Sequence, residues 1–140
     1  MTFALPETEF GSRAARHLAD DVVAWLTLVD ASGTAQPTPV WFLWDGGSIL
    51  VYSKGDAKRL AHLRGNPRVA FHFDSVDAAS HVVVLTGGAA VDEAAPAVPD
   101  SPEYLAKYGD RITRGWGSAE RFASIYSVAL RIRPSRVRGF

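Results

Sequence analysis

The sequence predicts a mainly β (α+β) fold, a six-stranded antiparallel β-barrel with short flanking helices. Six apolar segments, rich in β-branched and aromatic residues, are separated mostly by short turns of Gly, Asp and Ser, which is typical of strands joined by hairpins. One helical segment lies between the third and fourth strands, whereas a doubly wound parallel sheet would need regular strand–helix alternation. The length of 140 residues predicts a single domain over residues 1–140.

Turn residues and prolines mark the boundaries of the predicted elements in the first half of the chain. Thr8 can cap a helix whose apolar residues recur at helical spacing. The segments Asp30-Ala31-Ser32-Gly33 and Asp45-Gly46-Gly47 have the composition of hairpin turns. Pro37 and Pro39 cannot donate hydrogen bonds to a ladder, so their strand must begin at a sheet edge or a bulge. The predicted elements are a helix at residues 7–20 and strands at residues 22–29, 35–45 and 48–52.

Glycines and a proline order the second half in the same way. The pair Gly87-Gly88 inside an apolar run predicts a bulge or a sharp bend. Ser101 and Pro102 predict a helix start, with the serine as cap and the proline at the first position. The segment at residues 115–118 contains two glycines and predicts a break. The predicted elements are strands at residues 68–74, 80–91 and 125–137 and helical segments at residues 103–112 and 119–124.

Residues 52–67 combine a strand end with a short basic helix. Asp56 is the predicted N-cap, and Lys58, Arg59 and His62 are spaced to share the outer, exposed side of the helix. Free N–H groups at the helix N-terminus, the helix dipole and two adjacent cations favour a phosphate group. The same pattern also fits an ordinary solvated helix face, so the sequence leaves both interpretations open.

Large aromatic side chains lie on the two strands before this helix. Trp41, Phe42 and Trp44 are on one predicted strand, and Tyr52 ends the next. Most large aromatics belong to a core. Next to an anion site, however, they could also form a flat apolar wall, and a wall beside a phosphate cradle is what a flavin-like cofactor needs.

Charge and composition argue against several other classes of protein. Lys and Arg together number 15, as do Asp and Glu, so there is no broad basic field of the kind that holds nucleic acid. The chain has no cysteine, which excludes disulfides and thiolate metal sites. The four histidines form no close His-x-x-x-His or His-Glu pair, so no metal site is predicted.

The hydropathy pattern favours a soluble cytoplasmic protein. No apolar run approaches the roughly 20 residues of a membrane span. Residues 1–7 lack the basic region followed by an apolar one that marks a secretory signal. These two observations make a cytoplasmic location the default expectation.

The order of these features resembles the pyridoxamine 5′-phosphate oxidase-like superfamily of split β-barrels, also called FMN-binding split barrels. It is similar in particular to the small deazaflavin (coenzyme F420)-dependent oxidoreductases of that superfamily. The resemblance covers about residues 10–138 and depends on the ordered set, because no single motif is strict. The matching segments are residues 37–42, Tyr52-Ser53, Lys58-Arg59, Leu63, Asn66-Pro67-Arg68-Val69, residues 84–87 and residues 132–137.

This resemblance implies an oxidoreductase that transfers a hydride from reduced F420 to a small unsaturated or quinone-like molecule. Lys58 and Arg59 would bind phosphate with help from Ser53, and residues 39–42 would flank the ring. His62 stands where the family often has Asn. The resemblance also implies a homodimer with the cofactor between its subunits, and it assigns no catalytic residue. The implied cofactor-binding residues are Pro37, Pro39, Val40, Trp41, Phe42, Tyr52, Ser53, Lys58, Arg59 and His62.

Two alternatives remain open at this point. The first is an FMN-dependent relative, and the second is a non-catalytic carrier of flavin or haem on the same barrel. The true oxidases carry an Arg-x-Val-Leu-Leu-Lys segment where this chain has residues 37–42, and a C-terminal extension that binds substrate phosphate. The sequence shows neither feature, which argues against pyridoxamine phosphate oxidation and favours a deazaflavin over FMN.

Overall fold

The computed structural model describes residues 3–140. Met1 and Thr2 lie outside the described residues, so the structure does not test the part of the leader prediction that falls on them. The helices are α1 (Glu9–Asp20), α2 (Lys58–Gly65), α3 (Pro102–Trp116) and α4 (Ala119–Ile125), with a 3₁₀ turn at Val98–Asp100. The strands are β1 (Ala24–Val29), β2 (Ala35–Val40), β3 (Leu43–Trp44), β4 (Ile49–Ser53), β5 (Arg68–His72), β6 (Val83–Val91) and β7 (Val128–Gly139).

The strands form one antiparallel sheet in the order β2-β1-β5-β6-β7-β4-β3. The two edge strands, β2 and β3, are consecutive in the chain and are joined only by Trp41 and Phe42. The sheet therefore curls until its edges approach each other, which gives a half-barrel. This confirms the predicted antiparallel split barrel, and it confirms the edge position that Pro37 and Pro39 require.

The sheet has seven strands where the sequence predicted six. The predicted strand at residues 35–45 breaks at Trp41 and Phe42, so that β2 pairs with β1 and β3 pairs with β4. At the break, the backbone of Phe42 bonds the Tyr108 hydroxyl: its N–H donates to that oxygen at 2.9 Å. A side chain from α3 thus replaces the missing ladder, which a local sequence pattern cannot reveal.

Two apolar clusters lie on opposite faces of the curled sheet. Inside the curl, Phe42, Phe71 and Phe73 make edge-to-face contacts at 5.2–5.7 Å within the larger cluster. On the outer face, α3 and α4 cover the end of the sheet formed by β4 and β7. The remaining outer face, on β2, β1, β5 and β6, carries partly buried and exposed side chains. This uneven covering leaves a cavity at the border of the covered part.

Several helix and strand ends confirm the predicted signals. The Thr8 hydroxyl caps α1 by accepting from the N–H of Gly11 at 3.1 Å. The ladder between β6 and β7 shifts register between Thr86 and Gly87, as the glycine pair predicted. At Gly87 a side chain would collide with the backbone of Arg133, so glycine is required by the close approach of the two strands.

Other ends differ from the prediction. Ala57, not Asp56, is the N-cap of α2, and no side chain caps this helix. Ser101 does stand at the N-cap of α3, but its side chain makes no capping bond. α3 runs four residues past its predicted end, to Trp116, because its apolar face continues to pack, and Gly117 then ends it at φ 88°. Within residues 3–140, no helix combines the length and apolar character needed to cross a membrane.

Candidate functional site

A cavity of about 420 Å³ opens where β2, β4 and α2 meet α3 and α4. Its size falls within the roughly 300–1,000 Å³ that is usual for small-molecule sites. The side chains that line it are mostly aromatic, with cations at Lys54 and Arg59. They are Pro39, Val40, Trp41, Tyr52, Ser53, Lys54, Ala57, Arg59, Tyr104, Trp116, Phe122 and Tyr126.

Trp41 forms the flat wall of this cavity. It stacks on Tyr108 with ring centroids 4.6 Å apart and planes at 5°, and it lies 5.8 Å from the nearly parallel ring of Phe122. Trp116 packs edge-on against it at 5.8 Å. Offset stacking and edge-to-face contacts hold large aromatic rings in fixed positions. The wall is therefore rigid before any ligand binds.

The position of Trp41 depends on α3. The Tyr108 hydroxyl lies 2.7 Å from the carbonyl oxygen of Val22 and 3.0 Å from that of Phe42, the two acceptors open to its proton. Lys107 adds a bond from Nζ to the Phe42 carbonyl at 3.1 Å. Burial raises the pKa of Tyr108 to about 12 and lowers that of Lys107 to about 8. These two side chains of α3 together fix the break between β2 and β3.

Arg59 lies at the boundary between this cavity and a second cleft. Its side chain is partly buried, and burial lowers the pKa of its guanidinium, with the nearby Tyr126 acting in the opposite direction. In the described part of the chain, none of the ion pairs involves Arg59. A partly desolvated cation without a carboxylate attracts an anion strongly. Arg59 is thus the best-placed anion anchor of the site.

The second cleft, of about 470 Å³, lies between α2 and the β1–β2 hairpin. It is lined by Lys58, Arg59 and His62 on one side and by Asp30 on the other. The Asp30 carboxylate is engaged within its own turn by Ser32, Thr34 and Gln36, and these bonds hold its pKa well below the usual range. Asp30 therefore keeps its negative charge in the cleft, and in the described part of the chain it forms no ion pair with Lys58 or Arg59.

The structure brings six of the predicted cofactor-binding residues to the aromatic cavity. Lys58 and His62 line the neighbouring cleft, together with Arg59. Pro37 is exposed on β2 and lines neither space, while the side chain of Phe42 is fully buried in the core. Arg59 is partly buried, not exposed as its helical position suggested. The six that line the aromatic cavity are Pro39, Val40, Trp41, Tyr52, Ser53 and Arg59.

Sequence reasoning missed the half of the site that comes from the C-terminal helices. Tyr104 and Tyr108 are four residues apart on α3, and Phe122 and Tyr126 are four apart at α4. This spacing does signal an aromatic stripe on each helix. The spacing does not show which strand each stripe packs against.

Among residues 3–140, no group of three or more His, Asp or Glu side chains is arranged to hold a metal ion. The lining of the aromatic cavity includes no histidine, carboxylate or methionine. The chemistry of this cavity is therefore that of aromatic faces, hydroxyls and cations.

A curled antiparallel half-barrel with flanking helices is the architecture of the split β-barrels. The family described as pyridoxamine 5′-phosphate oxidase matches residues 10–140. Because this match covers nearly the whole chain, the protein belongs to the pyridoxamine 5′-phosphate oxidase family. Among proteins with curated descriptions, none matches significantly.

Solved structures show the same fold at low sequence identity. A putative pyridoxamine 5′-phosphate oxidase from Listeria innocua is 20% identical over 92% of this chain and 93% of its own, with a TM-score of 0.63. An F420 reductase is 23% identical over 86% and 92%, with a TM-score of 0.65. The haem storage protein HutZ from Vibrio cholerae is 15% identical over 98% and 95%, with a TM-score of 0.60. Such identities show a shared fold and leave cofactor and activity to be argued from the site.

Proposed function

We propose that this protein is an oxidoreductase that uses reduced coenzyme F420 as hydride donor for a small unsaturated or quinone-like molecule. The observation that carries the proposal is Arg59, a partly buried guanidinium without a carboxylate partner in the described chain, at the rim of an aromatic-walled cavity. A planar ring attached to a phosphate-bearing tail matches both features. Family membership supports a flavin-type ligand in general.

The residues present fit such a cofactor. Trp41 is only partly buried and lines the cavity, so its ring offers an aromatic surface that a flat ring can contact. Phe122 is 2% exposed and packs between Trp41 and Tyr126, where it supports this wall. Arg59 can meet the phosphate, and the N-terminus of α2, which no side chain caps, adds free N–H groups at the same place. When bound, the deazaflavin supplies hydride-transfer chemistry, and the protein supplies position and electrostatics.

The protein's part in the reaction is then to orient two flat molecules and to exclude water. The rigid aromatic wall would orient the bound ring, and holding two reacting molecules in a fixed geometry lowers the barrier to reaction. Ser53 is 2% exposed and its hydroxyl donates to the Lys54 carbonyl at 3.1 Å, so it helps to shape the turn that leads into α2. Arg59 would bind the anionic end of the cofactor.

The composition of β2 favours F420 over FMN. Residues 37–42 supply no Lys or Arg, and Pro37 and Pro39 lack N–H groups that could meet the polar edge of a flavin. Much of the affinity must then come from stacking and from anion contacts around Arg59 and Lys58. The long acidic tail of F420 offers such contacts, and the cleft lined by Lys58, Arg59 and His62 shares Ala57 and Arg59 with the cavity.

FMN binding is the second candidate, and a non-catalytic carrier of flavin or haem is the third. Haem iron in proteins is held by His, Cys, Met or Tyr. The lining of the aromatic cavity contains tyrosine but no His, Cys or Met, and burial raises the pKa of Tyr52 and Tyr104, which disfavours the tyrosinate that binds haem iron. The cavity therefore favours a flavin-type ring. His62, which lines the neighbouring cleft, is the one histidine among the described residues that line these two spaces.

We also propose that the protein acts as a homodimer with the cavity at its interface. Two rows of side chains cross the outer face of the sheet that the helices leave uncovered. One of the cavity-lining residues, Pro39, stands at the end of the first row, so a second copy seated on this face would reach the cavity. Two-fold assemblies are the commonest closed oligomers. The rows are Pro39–Trp25–His72–Val84–Arg138 and Pro37–Thr27–Ala70–Thr86–Arg136.

The test is a titration of the purified protein with F420, FMN and haem, followed by tryptophan fluorescence, because Trp41 would be quenched by a stacked ring. We expect F420 to bind more tightly than FMN and to lose affinity as salt is added, since partly exposed charge contacts are screened. Turnover of a quinone such as menadione with reduced F420 would then separate an enzyme from a carrier. Tight, salt-insensitive binding of FMN without measurable affinity for F420 would contradict the F420 proposal and favour an FMN-binding protein.

A further inference from the structure

Three buried tyrosines meet beside the cavity, and the fold uses the hydroxyls of only two of them. The Tyr52 hydroxyl donates to the Pro96 carbonyl at 2.6 Å. The Tyr108 hydroxyl accepts from the N–H of Phe42 and lies 2.7 Å from the Val22 carbonyl. Across residues 3–140, the Tyr104 hydroxyl has no hydrogen-bond partner, although this residue is only 1% exposed. A buried hydroxyl without a partner costs free energy, which points to a partner from outside the chain.

The unused hydroxyl faces the cavity. Within the described chain, the only fully buried side-chain polar atom that lacks a hydrogen-bond partner is Nε of Arg13. The Tyr104 hydroxyl therefore retains a small opening, and the aromatic cavity that Tyr104 lines provides it. This opening is small, because Tyr104 is only 1% exposed, and it is the route by which a molecule in the cavity would meet the hydroxyl.

The ring of Tyr104 is held in one orientation. Its centroid lies 4.8 Å from that of Tyr52, at 82°, and 4.8 Å from that of Tyr108, at 42°. Phe122 closes a third side at 6.4 Å. Since these contacts fix the ring, the direction of the C–O bond is set before binding. A ligand that accepts from this hydroxyl therefore costs little side-chain entropy.

The same surroundings keep the hydroxyl protonated. Burial raises the pKa of Tyr104 well above its ordinary range, and the neighbouring hydroxyls of Tyr108, Tyr52 and Tyr126 act in the same direction. The group is thus a neutral donor at any working pH. A site that disfavours the tyrosinate also disfavours a buried carboxylate, so the matching acceptor is a neutral oxygen.

We propose that Tyr104 is a binding residue that donates a hydrogen bond to a carbonyl oxygen on a planar ring bound in the aromatic cavity. The inference rests on the proposed function, in which both the cofactor ring and a quinone-like substrate carry such carbonyls. Their shared chemistry is a conjugated ring carbonyl. A site built around this donor discriminates against a ring of the same shape without the carbonyl, because the hydroxyl is then left unpaired.

The experiment compares wild type with Tyr104→Phe, using two ring probes of matched shape. Menadione carries two ring carbonyls, and 2-methylnaphthalene carries none. Binding of each probe, and of F420 and FMN, is measured by quenching of tryptophan fluorescence. Loss of one neutral hydrogen bond, about 0.5–1.5 kcal/mol, converts to a roughly two- to tenfold weaker affinity for the carbonyl-bearing partner. The affinity for 2-methylnaphthalene should stay unchanged.

The pattern across ligands separates the two sources of the carbonyl. Weaker F420 or FMN binding assigns the contact to the cofactor. Unchanged cofactor binding with weaker menadione binding, and a raised KM for menadione in turnover, assigns it to the substrate. If wild type binds neither cofactor but its menadione affinity still falls in the variant, the proposed function fails and the role of Tyr104 stands.

Two results would overturn the inference. One is equal affinity of wild type and Tyr104→Phe for menadione, F420 and FMN. The other is an equal loss for 2-methylnaphthalene, which would mean that the ring acts through packing alone. The midpoint of urea unfolding is the control for a loss of affinity caused by a less stable variant. Tyr104→Phe should not lower the midpoint, because its hydroxyl makes no bond in the fold, whereas Tyr108→Phe should lower it.

Discussion

Arg59 combines partial burial, access to two cavities and the absence of a carboxylate partner in the described chain. Charge-assisted contacts contribute about 1.5–3 kcal/mol each. We therefore expect Arg59→Gln to weaken cofactor binding more than tenfold with little change in melting temperature. Lys58→Ala should have a smaller effect, because Lys58 is exposed and lines only the second cleft.

Arg64→Ala is the matched control for these variants. Arg64 is an exposed cation on the same helix and lines neither the aromatic cavity nor the second cleft. Its removal should leave the titration curve unchanged. If Arg59→Gln and Arg64→Ala bind the cofactor equally well, the anion anchor lies elsewhere.

Lys107 should make stability depend on pH in a defined direction. Burial lowers its pKa from the ordinary 10.5 to about 8. Between these values the unfolded chain holds a proton that the folded chain has released, so the free energy of unfolding rises as pH rises through this window. The check is urea unfolding of wild type and Lys107→Met at pH 7.5, 8.5 and 9.5. Over this range the free energy of unfolding of wild type should increase relative to that of the variant. The gain should be modest, because Lys107 is only partly buried.

At higher pH, Tyr108 changes stability in the opposite direction to Lys107, but it does not affect the comparison of wild type with Lys107→Met. Burial raises the pKa of Tyr108 to about 12, so above about pH 10 its ionisation in the unfolded chain lowers stability. Both proteins in the comparison keep Tyr108, and its contribution cancels in the difference. A difference that stays constant from pH 7.5 to 9.5 would show that Lys107 does not titrate in this window.

At the scale of the elements, the bulge between β6 and β7 gives a sharp test of the sheet. A Cβ at Gly87 would collide with the backbone of Arg133, whereas one at Gly88 would sit 3.8 Å from the Pro67 carbonyl oxygen, an ordinary contact. Overpacking of this kind costs roughly 1–3 kcal/mol. Gly87→Ala should therefore lower the urea midpoint clearly, and Gly88→Ala should leave it unchanged or raise it. Equal midpoints for the two variants would contradict the observed register of the two strands.

At the scale of the whole molecule, the uncovered sheet face predicts the assembly. Sedimentation at micromolar concentration should give the mass of a homodimer. Ala70 lies in the middle of one of the two rows, so Ala70→Arg should shift the protein towards monomer and weaken cofactor binding. Ala106→Arg makes the same change at an exposed position on α3 and should leave the mass unaltered. A monomer mass for wild type would contradict the proposed homodimer.

Much of the architecture could be predicted because its signals are local. Alternating apolar residues, the turns after β1 and β3, and the glycine pair in β6 each describe a few neighbouring residues, and each is confirmed. Pro37 and Pro39 even indicated an edge strand, because a missing N–H has the same consequence wherever the strand lies. The basic helix after β4 was also readable, since its charges follow one another at helical spacing.

By itself, then, the sequence determined the class of fold and the order of its main elements, and it predicted site residues of which six line the aromatic cavity. Only the tertiary structure decided that β2 breaks at Trp41, that Arg59 is partly buried and that Tyr104 has a free hydroxyl beside the cavity. The reason is that these properties arise from contacts between distant segments: Phe42 and Tyr108 are 66 residues apart in the chain. Local periodicity shows which face of an element is apolar, and packing alone decides what that face meets.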